Sequence, residues 1–166
     1  MQRCIVHFSV CVTVVLLAGC ATYDFTVNDK LVYSPKALFS DFDTPDTELS
    51  NCLEQAIIDT KITEASALKH LNCSHAGIET LEGLETFTGL IQLKLSVNKI
   101  RNLAALVSLV HLQELYLDDN AVVDPVPLYP LATLRTLNLG NNIVLQCPEV
   151  AAFADIVSLT LPDHCN

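Results

Sequence analysis

Apolar residues recur along this chain at a constant offset of 22 residues, in four columns between residues 68 and 144. Each column holds one aliphatic residue from each of four successive stretches, apart from a single cysteine. The columns contain Leu68, Leu90, Leu112 and Leu134; Leu71, Leu93, Leu115 and Leu137; Cys73, Leu95, Leu117 and Leu139; and Ile78, Ile100, Val122 and Val144. This repetition predicts a solenoid of about four coils, because one coil cannot bury its apolar side alone and must stack on its neighbours.

Each coil is predicted to carry one short strand, at the second and third of these columns. Leu93 and Leu95 are expected to point into the core and Lys94 outward, because successive side chains of a strand lie on opposite faces. The outward positions of stacked coils lie about 4.8 Å apart and form one polar surface, with Tyr116 near its middle. We predict that this surface binds a partner; the alternative is that it only solvates the sheet. The candidate residues are His70, Asn72, Gln92, Lys94, Glu114, Tyr116 and Asp118.

An asparagine column follows the strands, at Asn98, Asn120 and Asn142. These amides are expected to turn inward where each strand ends, and to bond backbone groups that the bend leaves without partners. The first stretch has Ala76 at this position. Because the first coil has no coil before it, we interpret the alanine as an adaptation to a cap.

The complete pattern from Leu90 to Leu109, L-x-x-L-x-L-x-x-N-x-I-x-x-L-x-x-L-x-x-L, resembles the 22-residue leucine-rich repeats of internalin-like bacterial proteins. The resemblance spans roughly Thr47 to Cys165. It implies an α/β solenoid: a short leucine-rich-repeat array with a parallel sheet on its concave face, a helical N-terminal cap and a disulfide-closed C-terminal cap. The implied boundaries are 46–66 for the N-terminal cap, 67–146 for the repeats and 147–166 for the C-terminal cap.

The third coil departs from this pattern on its return segment. Pro125, Pro127 and Pro130 crowd that segment, and proline is incompatible with the interior of a regular helix. We therefore expect extended or turn structure on this part of the convex side.

The N-terminus resembles the export signal of a bacterial lipoprotein. Arg3 precedes an apolar run from Ile5 to Ala18, which is too short for a comfortable transmembrane helix. The run ends in Leu17-Ala18-Gly19-Cys20, which resembles a lipobox. The resemblance implies a signal peptide over 1–19, a lipid on Cys20 and, because Ala21 rather than aspartate follows, sorting to the outer membrane. The alternative is an ordinary secretory signal in which Cys20 is incidental.

Residues 20–45 lack the repeat and contain several turn-forming pairs, so we interpret them as a tether between the lipid and the repeats. The segment is nevertheless rich in aromatic residues. These could dock on the cap or on the membrane interface, and both possibilities stay open. The aromatic residues are Tyr23, Phe25, Tyr33, Phe39 and Phe42.

The charge of the chain argues against nucleic acid as a partner. Because Arg3 leaves with the predicted signal, the mature chain keeps eight of the nine basic residues and all nineteen acidic ones, for a formal charge of −11. Such a field repels phosphate backbones and anionic lipid head groups. The densest acidic run, at Glu79, Glu82 and Glu85, is interpreted as a solvated convex face.

Four cysteines remain after the signal and the lipid site, and they allow three disulfide pairings. Two flank the start of the array and two flank its end. The parsimonious choice is Cys52 with Cys73 and Cys147 with Cys165, so that each bridge closes a cap, which requires an oxidising compartment such as the periplasm or the cell surface. A zinc site is the competing interpretation, but the chain has no C-x-x-C pair.

The chain carries no pattern typical of catalysis. It has no G-x-S-x-G, no H-E-x-x-H and no glycine loop for phosphate. His70 and His75 are an odd number of residues apart, so we do not expect them to share one metal. We predict no cofactor and no enzyme, but a lipid-anchored module that binds a protein or glycan. The alternatives are a structural envelope lipoprotein without a single ligand and a periplasmic enzyme whose site the sequence does not reveal.

Overall fold

The computed structural model describes residues 25–27, 30–33 and 36–165, and these residues belong to two compact units that divide between Ala37 and Leu38. The predicted signal peptide and Cys20 lie outside the described residues. In the first unit, β1 (Phe25–Val27) pairs with β2 (Lys30–Tyr33) in an antiparallel hairpin. The second unit contains the repeats.

The N-terminal cap is the helix α1 (Thr47–Thr60). It begins where the Asp46 carboxylate accepts a hydrogen bond from the Leu49 N–H at 3.0 Å, which satisfies one of the free donors of the first turn. It ends at Lys61, which adopts a left-handed conformation. The helix buries Leu49, Leu53 and Ile57, four residues apart, on the first coil. The predicted helical cap is confirmed.

Five parallel strands form the sheet of the solenoid, and neighbours in sequence are neighbours in space. They are β3 (His70–Asn72), β4 (Gln92–Lys94), β5 (Glu114–Tyr116), β6 (Thr136–Asn138) and β7 (Ser158–Thr160). The register pairs each residue with the one 22 positions later, as in Leu93 with Leu115. The predicted leucine-rich-repeat fold is thereby confirmed.

The sequence predicts about four coils, and the structure contains a further strand, β7, in the same register. Its leucine Leu159 pairs with Leu137, so the 22-residue offset continues into the C-terminal cap. Ile156 and Leu161 continue two further columns, whereas His164 stands where the next asparagine would be. The cap is therefore a fifth, modified coil.

Apart from Val144, which is 46% exposed, the aliphatic columns fill the space between the sheet and the convex side. Leu90, Leu93, Leu95 and Ile100 of the second coil are all completely buried. Burial of one such side chain contributes roughly 1.5–3 kcal/mol, so the columns supply the main drive for stacking.

Short 3₁₀ turns line the convex side, as Leu84–Thr86, Ala104–Ser108, Val126–Leu128 and Val150–Phe153. The proline-rich third coil keeps its turn because Pro125 caps it and Pro127 lies in its first positions, where no intrahelical N–H bond is needed. The third coil thus has a short turn and no regular helix on its return segment, as the three prolines predict.

The asparagine column forms a hydrogen-bonded ladder between coils. The Asn120 side chain is buried, accepts from the Ile100 N–H at 3.0 Å, and donates to the carbonyls of Leu95 at 2.9 Å and Leu117 at 3.0 Å. The Asn98 and Asn142 side chains bond in the same way one coil before and one coil after. The predicted inward turn of these amides is confirmed.

Two disulfides join Cys52 to Cys73 and Cys147 to Cys165, the two pairs that the sequence favours. The first ties α1 to the end of β3, and the second closes the C-terminal coil. In this bonded state the four sulfurs are not available as thiolate ligands for zinc.

The last residues of the predicted tether, 38–45, belong to the same compact unit as the repeats. The Phe39 N–H donates to the Ile62 carbonyl at 2.9 Å, and the rings of Phe39 and Phe42 lie 5.8 and 5.5 Å from that of Phe87. Burial of this aromatic cluster outweighs the tendency of the segment to stay solvated. For these two rings, docking on the cap is the arrangement found. Phe25 and Tyr33 belong to β1 and β2, and Tyr23 lies outside the described residues.

Candidate functional site

The concave surface is built from the outward positions of the five strands and of the residues that follow them. Each column contains the residues that occupy the same repeat position in successive coils, one strand spacing apart. The three columns are His70, Gln92, Glu114, Thr136 and Ser158; Asn72, Lys94, Tyr116, Asn138 and Thr160; and Ser74, Ser96, Asp118 and Gly140.

One side-chain network on this surface is centred on Glu114. Its Oε2 atom accepts from Gln92 Nε2 at 2.6 Å and from the Tyr116 hydroxyl at 3.3 Å. The Lys94 ammonium lies 5.4 Å from the centre of the Tyr116 ring, within the range of a cation–π contact. Burial, together with the charge and hydrogen bond of Glu114, raises the pKa of Tyr116 above its ordinary value. The hydroxyl therefore stays protonated and acts as a donor.

A second network is centred on Asp118. Its Oδ1 atom accepts from the Ser96 hydroxyl at 2.7 Å and from Asn138 Nδ2 at 3.0 Å. Asn138 in turn accepts from the Gly140 N–H at 3.0 Å. These bonds cross three coils, so the side chains are held in fixed positions before any partner arrives.

The structure brings five of the seven candidate residues into these networks: Gln92, Lys94, Glu114, Tyr116 and Asp118. His70 and Asn72 lie in the same columns on β3 but outside both networks. Asn72 instead accepts from the N–H of Ser74 at 3.2 Å, and the imidazole of His70 makes no hydrogen bond within the described part of the chain. The first coil therefore contributes least to the organised surface.

Seven residues of the three columns lie outside the candidate set, and two of them, Ser96 and Asn138, contribute side chains to the networks. Ser96 and Asn138 lie one coil away from Asp118 and Tyr116, and that 22-residue spacing was the available signal. Ser158 and Thr160 extend the columns on β7 and were missed because that strand was not anticipated.

The concave surface is an open polar sheet. It offers hydroxyls, amides, two carboxylates and one ammonium on an open sheet, without a deep cleft. The larger cavities among the described residues lie elsewhere: one of about 600 Å³ lies between the start of α1 and the first coil, and one of about 540 Å³ lies on the convex side between the 3₁₀ turns of the first two coils. No helix within the described ranges is long and apolar enough to span a bilayer.

Three solved structures from Listeria monocytogenes are similar to this chain. They are the internalin InlF, with 23% identity over 72% of this chain and 36% of that one at a TM-score of 0.60; internalin C2, with 23% identity over 71% and 54% at 0.56; and the functional domain of InlJ, which includes a cysteine ladder, with 21% identity over 70% and 31% at 0.57.

These likenesses show the leucine-rich-repeat fold. The chain spans between about a third and a half of the length of each of these structures. No family model and no curated protein matches the sequence.

Proposed function

We propose that this protein is a lipid-anchored envelope module that binds a protein ligand, or a glycan, through its concave sheet. The observation that carries the proposal is the pair of side-chain networks around Glu114 and Asp118, which extend over neighbouring coils. Side chains that only solvate a sheet need no bonds to one another. The similarity to internalins supports a binding role by analogy of fold alone.

Preorganisation is what makes this surface suitable for recognition. A partner that docks on Tyr116 loses little side-chain entropy, because Lys94 and Glu114 already hold the ring. Tyrosine provides a large contact area and a donor, and such residues are enriched among binding anchors. Glu114 Oε1 and Asp118 Oδ2 are not used by the networks, so each carboxylate keeps an acceptor for a partner's donor.

The triple variant Lys94→Ala, Tyr116→Ala and Asp118→Ala tests this role. Photo-cross-linking from position 92 in living cells, followed by mass spectrometry, should capture a defined partner with the unaltered chain and lose it with the triple variant. A matched control replaces the exposed Arg101 and Glu64, which lie away from the sheet, with alanine. If the triple variant captures the same partners in the same yield, the module has a structural role and the proposal is wrong.

The anchoring part of the proposal rests on the lipobox-like motif at Cys20, and the outer membrane on Ala21. Two disulfides are consistent with an oxidising compartment. Metabolic labelling with a palmitate analogue should label the unaltered chain and not the Cys20→Ser variant, which should move from the membrane fraction to the soluble one. Protease shaving of intact cells then distinguishes a domain facing the periplasm from one facing outward. Labelling that persists in Cys20→Ser would contradict the assignment.

A further inference from the structure

The convex side of the solenoid has a second surface that the concave site does not use. Exposed apolar side chains occupy it in the second and third coils, and we call them the convex strip. Val107, Val110, Val126 and Tyr129 are 42, 51, 54 and 37% exposed. The convex strip comprises Ala104, Val107, Val110, Val126 and Tyr129.

The repeat itself shows that the convex strip departs from a solvated face. Val107 and Tyr129 occupy the column that holds Glu85 in the first coil. Likewise, Ala104 and Val126 occupy the column of Glu82. Equivalent positions thus change from charged to apolar along the array, although all of them face away from the core. A row of exposed apolar residues over two coils marks an interaction surface more often than a scattered one does.

The convex strip adjoins a groove with an acidic wall. The groove, of about 540 Å³, lies between the turns Leu84–Thr86 and Ala104–Ser108 and is lined by Glu82 and Glu85 on one side and by Ala104, Ala105 and Val107 on the other. Within the described residues the one ion pair joins Lys99 to Glu79. Glu82 and Glu85 therefore form no ion pair with a lysine, arginine or histidine of the described residues.

The opposite end of the convex strip is acidic as well. Burial, then the negative charges of Asp124 and Glu149, raise the pKa of Tyr129. The ring of Tyr129 is held by an edge-to-face contact with Phe153 at 5.3 Å. An apolar surface with carboxylates at both ends is complementary to an apolar segment that carries lysine or arginine beside its hydrophobic residues.

We propose that the convex strip, together with Glu82 and Glu85, docks a basic amphipathic segment of a partner protein. A second copy of this chain fits less well, because this acidic chain would bring further carboxylates against Glu82 and Glu85. A bilayer with anionic head groups fits less well for the same reason. The surface is separate from the concave site, so one module can hold two partners at once.

A designed peptide of about 18 residues, with leucines on one helical face and lysines on the other, is the probe. Fluorescence anisotropy with the full-length chain should show saturable binding. The Glu82→Gln/Glu85→Gln variant and the Val107→Asn/Val126→Asn variant should each weaken it roughly tenfold. Two matched controls, Glu54→Gln/Glu64→Gln on the N-terminal cap and Val157→Asn beside β7, should leave the affinity unchanged. The concave triple variant should also leave it unchanged, which separates this proposal from the proposed function.

Several outcomes would overturn the proposal. A scrambled peptide of the same composition that binds equally well would show charge attraction alone, and so would equal weakening by the control variants. Sedimentation that detects a dimer of the unaltered chain, lost in Val107→Asn/Val126→Asn, would assign the surface to a second copy. Flotation with phosphatidylcholine vesicles, lost in the same variant, would assign it to a bilayer.

Discussion

In the middle coils the asparagine ladder recurs every 22 residues, whereas the contacts that close the two ends of the solenoid do not recur. The asparagine ladder repeats at Asn98, Asn120 and Asn142 with the same backbone partners. The N-terminal end relies on a helix, an aromatic cluster and a disulfide, and the C-terminal end on a modified coil and a disulfide. A coil in the middle is stabilised from both sides, whereas a terminal coil lacks one neighbour and needs a substitute for it.

Removal of a ladder amide is expected to give the largest loss of stability. Asn120→Ala leaves the Ile100 N–H and the carbonyls of Leu95 and Leu117 without their side-chain partner in the core. We expect the free energy of unfolding to fall by about 3–4 kcal/mol, measured by urea denaturation. The control Asn51→Ala, on the exposed face of α1, should change it by less than about 0.5 kcal/mol. Equal losses in both variants would contradict a special role for the ladder.

Removal of either disulfide should cost nearly as much, but with different local effects. The bridges close loops of 21 and 18 residues, so replacement of each cysteine pair by serine should lower the free energy of unfolding by about 3 kcal/mol in the chain-entropy model. Hydrogen exchange should distinguish the ends. Loss of Cys147–Cys165 should speed exchange in β7 first, because within the described residues β7 is an edge strand and α1 packs at the opposite edge, on β3.

Loss of Cys52–Cys73 should leave local exchange near β3 slow, because Leu49, Leu53 and the aromatic cluster still cover the first coil. If β3 frayed as readily as β7, the helix and the aromatic cluster would have no stabilising role beyond that of the disulfide.

A smaller effect is expected at Asp46, which joins the helix to the first coil. One oxygen caps α1, and the other accepts from the N–H groups of Glu79 at 2.8 Å and Thr80 at 3.0 Å. Burial alone would raise the pKa of this carboxyl, but the backbone donors together outweigh it and hold the pKa below its ordinary value of 3.8. Asp46→Ala should lower the free energy of unfolding by about 1–2 kcal/mol at neutral pH.

The pH dependence of that difference follows from the sign of the shift. Because the folded pKa lies below the unfolded value of 3.8, the stabilisation is fully present above that pH and is lost as the pH falls through the folded pKa. The free energies of unfolding of the two proteins should therefore converge in acid and stay separate at pH 5 to 8. A difference that is constant down to the acid end would show that the cap acts without its charge.

The difference between middle and ends also explains what the sequence could predict. Columns at a fixed spacing gave the strands, their register and the ladder, because a period carries over from one coil to the next. Docking of Phe39 and Phe42 has no period, so nothing in the sequence distinguished cap from membrane as their place. The strand β7 was missed because its coil keeps Leu159 and Leu161 but has His164 in place of the ladder asparagine.

The candidate surface was likewise predictable in part from the 22-residue spacing. Lateral neighbours such as Gln92 and Glu114 follow from the spacing, and the structure shows them bonded. The contact of Asn138 with Asp118 runs diagonally between coils, and such a contact depends on side-chain rotamers that columns do not specify. The convex strip is harder to predict. The acidic run at Glu82 and Glu85 indicates a solvated face in the first coil, whereas the same columns hold apolar residues in the second and third coils.

The smallest predicted effect is a gain in stability, at a strained position that the middle coils tolerate. His75, Val97, Asp119 and Asn141 occupy one column, and all have positive φ, between 54 and 60°. A β-branched side chain is unfavourable in this conformation, whereas asparagine adopts it readily. Val97 is 41% exposed, so Val97→Asn loses little burial and should raise the free energy of unfolding by about 1 kcal/mol. The reciprocal His75→Val, at the same position of the first coil, should lower it by a similar amount. Paired urea titrations of the two variants should give changes of opposite sign in the free energy of unfolding. Changes of the same sign in both would mean that packing, rather than backbone conformation, governs stability at this column.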